Sequence, residues 1–210
     1  MKANRHLLLG LSLLLAGCAG HPFSAAKKAG IHTIQLDPIV ADHDMRYGVD
    51  TSKLGSSKLD DDLRATISNE MVNDVGAEGL RRMRIVMRRH SIDVLQMIHG
   101  QVENRLHSDL GFTITEQPPA DAVCTVKIVQ YGYDDTPFSL MHELPFVILK
   151  IELKDNTGHV ILSRQTKYYG PTDDDSGASW DEYEAHPDEL RDAWNSKIAE
   201  AVDRLIPASK

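Results

Sequence analysis

The chain has 210 residues, and 31 acidic against 23 basic side chains leave a net charge of −8. That balance excludes a nonspecific nucleic-acid binder, which needs a basic footprint to displace counterions. With only two cysteines, a small disulfide-stapled scaffold is excluded as well.

The N-terminus carries Lys2 and Arg5, followed by an apolar stretch from Leu7 to Leu15 broken only by Gly10 and Ser12. Spanning a bilayer takes about 20 apolar residues, so this run is too short for a membrane helix and suits the core of an export signal. It ends in Leu15-Ala16-Gly17-Cys18. This tetrapeptide resembles the lipobox of bacterial lipoproteins, in which small residues precede the cysteine whose sulfur takes a diacylglycerol. The resemblance implies cleavage after Gly17 and lipid on Cys18. It implies anchoring by two or three acyl chains, where each buried CH₂ contributes about 0.8 kcal/mol and a single chain holds only marginally. In Gram-negative lipoproteins an aspartate after the cysteine marks inner-membrane retention. Ala19 therefore implies the outer membrane, facing the periplasm. Losing Lys2 and Arg5 takes the mature charge from −8 to −10.

The expected organisation is a signal peptide over 1–17, a lipidated N-terminus and flexible tether over 18–30, and a single domain over 31–207. The tether reading rests on the small and polar residues at 19–30, with little apolar surface to offset ordering entropy. Ile31 to Val40 reads as a first strand, with Pro38 ending it or placing it at a sheet edge. Residues 41–60 read as loop. From about Asp60 the chain reads as helix, and Gly76 and Gly79 interrupt its pattern. Ser91 to Leu110 is a helix on the stripe Ile92, Leu95, Ile98, Val102, Leu106 and Leu110, with Ser91 able to cap its start and Gly111 its end. Phe112 to Thr115 is a short strand. Ala122 to Tyr133 and Phe146 to Lys154 are strands, the first with Cys124, Val126 and Ile128 on one face. The second turns Val147, Leu149, Ile151 and Leu153 inward. Asp155 to Gly158 is a turn leading into a partner strand from His159 to Tyr169. Pro187 to Ile206 closes the chain as a helix burying Leu190, Trp194, Ile198, Val202 and Leu205.

This order predicts an α+β two-layer sandwich, a mostly antiparallel sheet with helices packed on one face. The layout over 31–206, with a helix ending in Leu-Gly-Phe, a hairpin at Asp155 to Val160 and a closing helix, resembles several families of small envelope lipoproteins. These are the lipopolysaccharide-assembly, transport-auxiliary and curli-secretion types. No binding residues carry over from any of them.

Candidate chemistry is sparse. Placing Gly177 at position 6 of a calcium loop puts Thr172 at position 1 and Tyr183 at position 12, so the register fails at both ends and Asp173 to Gly177 reads as a solvated acidic loop. His142-Glu143 lacks the second histidine of a zinc-protease helix, and Pro145 would break that helix. His99 and His107 lie eight apart on one helix and read as surface residues. No serine elbow, phosphate loop or paired-cysteine motif occurs. With Cys18 taken by lipid, Cys124 sits alone in an apolar run and reads as a buried structural thiol. The feature that departs from the acidic composition is Arg81, Arg82, Arg84, Arg88 and Arg89, five arginines in nine residues. On a helix, Arg81, Arg84 and Arg88 share a side, while Met83, Val86 and Met87 reach the core. Guanidinium groups suit phosphates and carboxylates, so this face is the candidate anion- or partner-binding site; the alternative is an exposed face paired internally with the acidic loops. The expected function is a noncatalytic accessory or assembly factor of an envelope complex, needing no cofactor or metal. Its partners would be the membrane through Cys18 and an envelope protein. The alternative is a lipid- or glycan-binding module taking phospholipid or lipopolysaccharide.

Overall fold

A computed structural model describes residues 23–48, 69–136, 139–168 and 177–207. The export signal, Cys18, Ala19, the acidic turn at Asp60 to Asp62 and the loop from Asp173 to Ser176 lie outside these residues.

Among the described residues seven strands form one sheet: β1 (Thr33–Leu36), β2 (Val40–Ala41), β3 (Arg46–Tyr47), β4 (Thr113–Thr115), β5 (Ala122–Thr136), β6 (Ser139–Asp155) and β7 (Val160–Gln165). The order is β4-β1-β5-β6-β7, and β2 and β3 continue along the same edge of β5 that β1 begins. Helices α1 (Ser24–Lys28), α2 (Asn69–Arg89), α3 (Val94–Asn104), α4 (Trp180–Ala185) and α5 (Pro187–Leu205) accompany it, with a π-helical turn (Arg105–Asp109) extending α3. Cys124, Val126 and Ile128 of β5 and Leu149, Ile151 and Leu153 of β6 are fully buried in one core with residues of all these helices. The opposite face carries Lys127 paired across to Lys150, and Thr125 paired to Glu152. A small second cluster of Phe146, Ile148, Val129 and Tyr168 forms at its far end.

The α+β class holds, but the sheet is mixed rather than mostly antiparallel. Strands β1, β2 and β3 run parallel to β5, and β1 runs parallel to β4, whereas β5–β6 and β6–β7 are antiparallel. The physical reason is connection length. A tight turn fixes an antiparallel pair, as at Asp155 to Gly158, whereas a crossover through α2 and α3 restores chain direction before β4. Being flanked by β4 and β5 also makes β1 interior, so Pro38 separates β1 from β2 rather than marking an edge.

Four further expectations change. The tether does not extend through residues 23–30, because Phe23 and Ala26 are fully buried and α1 belongs to the domain. Residues 41–47 include the end of β2 at Ala41 and all of β3. Helix α2 runs without a break through Gly76 and Gly79. A Cβ at Gly76 would lie 2.4 Å from the Tyr47 ring, and one at Gly79 would lie 2.3 Å from the Trp180 ring. These glycines let aromatic rings seat directly on the helix backbone. The α3 helix starts later than expected: Ser91 has φ +53°, and Asp93 is the cap, accepting from Gln96 N at 3.1 Å. Gly111, at φ +73°, ends the π-turn as the sequence suggested.

Candidate functional site

The arginine segment forms the C-terminal half of α2. Met83, Val86 and Met87 recur at three and four residues and are buried, so this stripe fixes the helix against the core. The arginines then occupy the remaining sides, and the structure divides them by partner. Arg81 makes a bidentate pair with Glu78 one turn earlier, at 2.7 and 2.8 Å. Arg82 reaches the start of α4, donating to Asp181 at 2.6 Å and to Glu184 through Nε at 3.1 Å. Arg84 donates to the Met45 carbonyl at 3.2 Å. Among the described residues neither Arg88 nor Arg89 forms an ion pair. Of five candidate residues, two are thus committed within the domain and one is partly so.

Arg84 and Arg88 stand one helical turn apart as a ridge between two depressions. The first, about 500 Å³, lies between α2, the start of α3 and the β2–β3 segment, with Met45, Met87, Ile92 and Tyr131 among its lining residues. The second, about 380 Å³, is lined by Ala77, Leu80, Arg81 and Ile85 together with the same two arginines. Ile85 is 45% exposed, a large apolar side chain presented between the two charges. Burial raises the Tyr131 hydroxyl pKa above the ordinary tyrosine value; the Asp44 carboxylate adds to the rise and Arg84 opposes it. The first groove also holds Asp93. Its electrostatics are therefore of mixed sign, arginine on the α2 side and carboxylates on the α3 and β2–β3 sides.

The other sequence candidates resolve into structural roles. Three carboxylates of the acidic region near the start of α4 are engaged: Asp181 and Glu184 by Arg82, and Glu182 in a reciprocal capping box with Ser179. His142 and Glu143 lie on β6, and Glu143 is 2% exposed beneath the Tyr47 hydroxyl at 3.4 Å. His99 lies 3.8 Å from Glu103, and His107 Nδ1 lies 3.0 Å from the Phe112 carbonyl. No group of three metal-ligating side chains occurs among the described residues. Cys124 is fully buried, and burial pushes its thiol pKa up to about 12, with Asp37 adding to the rise. Among the described residues no helix is long and apolar enough to cross a membrane.

The link from Arg82 to α4 joins residues about a hundred positions apart, so no local sequence pattern announces it. The one available signal was the serine three residues before Glu182, the spacing of a capping box.

These features define a mixed α+β domain with helices on one sheet face and an arginine ridge at one end. No protein-family model matches the chain, and no curated protein does. Among solved structures, the chain is similar to a variant of the PelC dodecamer from Paraburkholderia phytofirmans. The identity is 13% and the TM-score 0.38, covering 85% of this chain and 88% of that one. It is similar to a Xanthomonas campestris protein of the DUF330 family at 15% identity and a TM-score of 0.37, covering 53% of this chain and 58% of that one. A candidate lipoprotein from Caulobacter crescentus matches at 13% identity and a TM-score of 0.32, covering 53% of this chain and 76% of that one. At these values neither family nor activity transfers.

Proposed function

We propose that the chain is an outer-membrane lipoprotein facing the periplasm, which acts without catalysis by docking onto an envelope protein complex through the Arg84–Arg88 ridge. The anchor rests on Leu15 to Cys18 following the apolar run. The docking role rests on one observation: Arg88 carries no internal ion pair among the described residues, and with Arg84 it flanks the exposed Ile85. Charged side chains around an apolar anchor, over a groove of mixed sign, suit a folded protein with its own charge pattern better than a uniform polyanion.

The experiment is photo-crosslinking in cells from position 85, with the native chain and with Arg84→Glu/Arg88→Glu. A single protein adduct that the double substitution removes, with the protein still folded and membrane-bound, supports the reading. An unchanged adduct removes these arginines from the interface. The second reading, a lipid or glycan ligand, draws on the apolar floor of the larger groove, formed by Met45, Met87 and Ile92. A specific lipid or glycan retained by the purified protein, with no protein adduct, would favour it.

A further inference from the structure

We infer that the domain stands on its membrane by the α1 end and holds the Arg84–Arg88 groove away from the bilayer that anchors it, an inference that rests on lipidation of Cys18.

Chain length sets the first constraint. Phe23 is fully buried, its ring 6.0 Å from that of Phe112. Five peptide steps join Cys18 to Phe23, and a chain extends at most about 3.6 Å per residue. The folded domain therefore begins within about 18 Å of the lipidated residue. The surface at that point is basic: Lys27 and Lys28 are exposed on the last turn of α1, and neither forms an ion pair among the described residues. Lys27 places its ammonium over the Phe112 ring at 5.8 Å from its centroid, which fixes one positive charge at this end of the domain, and Lys28 is exposed on the same turn. Anionic headgroups are the chemistry that such a pair recognises beside a lipid anchor.

Two internal rulers place the groove. The α3 helix and its π-turn run from Val94 to Asp109. The start of α3 lines the groove, while the far end leads through Gly111 to Phe112, beside Phe23. At about 1.5 Å per residue these ends lie about 24 Å apart. Along the sheet, Ile34 of β1 pairs with Ala122, whereas Arg46, the neighbour of the Met45 carbonyl that holds Arg84, pairs with Gly132. Ten residues of strand at about 3.3 Å each give about 33 Å. Both lengths exceed the Debye length of about 8 Å at physiological salt. With α1 toward the bilayer, headgroup phosphates of the anchoring leaflet do not reach Arg84 and Arg88, so the groove meets partners from the periplasmic side.

The test uses lipidated protein reconstituted into phosphatidylethanolamine–phosphatidylglycerol vesicles containing a nitroxide-headgroup lipid. Fluorophores are placed at Ala25→Cys or Ile85→Cys; buried Cys124 stays silent to the label. The expected result is flotation with the vesicles, loss of most emission at position 25 and little loss at position 85. Lys27→Glu/Lys28→Glu should weaken the quenching at position 25, as should high salt. Equal quenching at both positions, or stronger quenching at 85, overturns the orientation while leaving the anchor intact. Quenching at position 25 that neither the double substitution nor salt weakens removes the lysines from the contact. Failure to float overturns the Cys18 reading and the orientation with it.

Discussion

The indole N–H of Trp194 donates to the Tyr133 hydroxyl at 3.0 Å, and that hydroxyl in turn meets the Met87 sulfur at 3.6 Å, joining α5, β5 and α2 in the core. Both rings are fully buried, 5.5 Å apart at 77°. Burial pushes the tyrosine hydroxyl well above its ordinary pKa, so it stays a neutral donor and acceptor. Tyr133→Phe keeps the ring contact and strands a buried indole N–H, so the expected loss is about 1–3 kcal/mol in urea unfolding. A loss under about 0.5 kcal/mol would mean that the indole finds another acceptor.

Glycine substitutions separate steric need from helix propensity. In an open helix Gly→Ala stabilises by about 0.8–1.0 kcal/mol. At Gly79 the new methyl would meet Trp180, whose ring packs edge-on to Tyr133 at 5.1 Å, so Gly79→Ala should lower the melting temperature. Gly132→Ala should be worse. Its Cβ would lie 1.7 Å from the Arg46 carbonyl oxygen, and backbone cannot rotate away as a side chain can. Thermal unfolding of the two variants gives the order directly. A Gly79→Ala protein that melts higher than the parent would show that the ring moves freely.

How much of this was legible follows from which signals are local. The stripes of α3 and α5 and the alternation of β5 and β6 were readable, because burial imposes a period that the sequence must carry. The alternation itself changes phase in β5. Cys124, Val126 and Ile128 face the helices before the register shift between Ile128 and Gln130, and Tyr131 and Tyr133 face Trp194 after it. Helix α2 was obscured by Gly76 and Gly79, whose purpose lies in Tyr47 and Trp180, rings far away in sequence. Phe23 alone among small polar residues gave too little pattern to mark a core anchor. For the candidate site, sequence supplied the arginines and the option of pairing with the acidic region, but not which arginine pairs there. Arg82 finds Asp181 and Glu184 only after the chain has folded, and this sorting sets Arg84 and Arg88 apart from Arg81 and Arg82.

Acid sensitivity has a local source at the start of β1. One oxygen of Asp121 accepts from His32 N at 2.9 Å and Thr33 N at 2.8 Å, and these bonds hold its pKa below the ordinary 3.8. A depressed folded pKa contributes stability that is present above the unfolded value and lost as pH falls through the folded value. The melting temperature should therefore hold near neutrality and fall below about pH 4. Asp121→Asn should make that acid limb shallower without removing it, since Asp155, Glu152 and Glu182 are shifted the same way. An acid limb of unchanged slope in the variant would assign the effect to those other carboxylates.

Thiol chemistry reports global opening. With its pKa near 12, Cys124 has a thiolate fraction of about one in ten thousand at pH 8, besides being sealed from reagent. Native protein lacking any other free thiol should not react with a disulfide reagent, and one thiol should appear on adding denaturant. Rapid reaction without denaturant would mean that β5 opens locally on the α5 side.

Arg82 and Arg88 offer a paired control on the division of the arginine face. Arg82 links α2 to α4, but its side chain is 33% exposed, and ion pairs of that kind contribute about 0–1 kcal/mol and weaken with salt. Arg82→Ala should lose a stability within that range at low ionic strength, and the difference should shrink at about 1 M salt. Arg88→Ala should leave urea unfolding unchanged at either salt concentration while weakening capture of the crosslinked partner. The two substitutions affect different readouts only if the residues do different jobs. Arg88→Ala costing as much stability as Arg82→Ala would place an internal partner on Arg88, and the ridge would then be part of the domain's own packing rather than a surface held ready for another molecule.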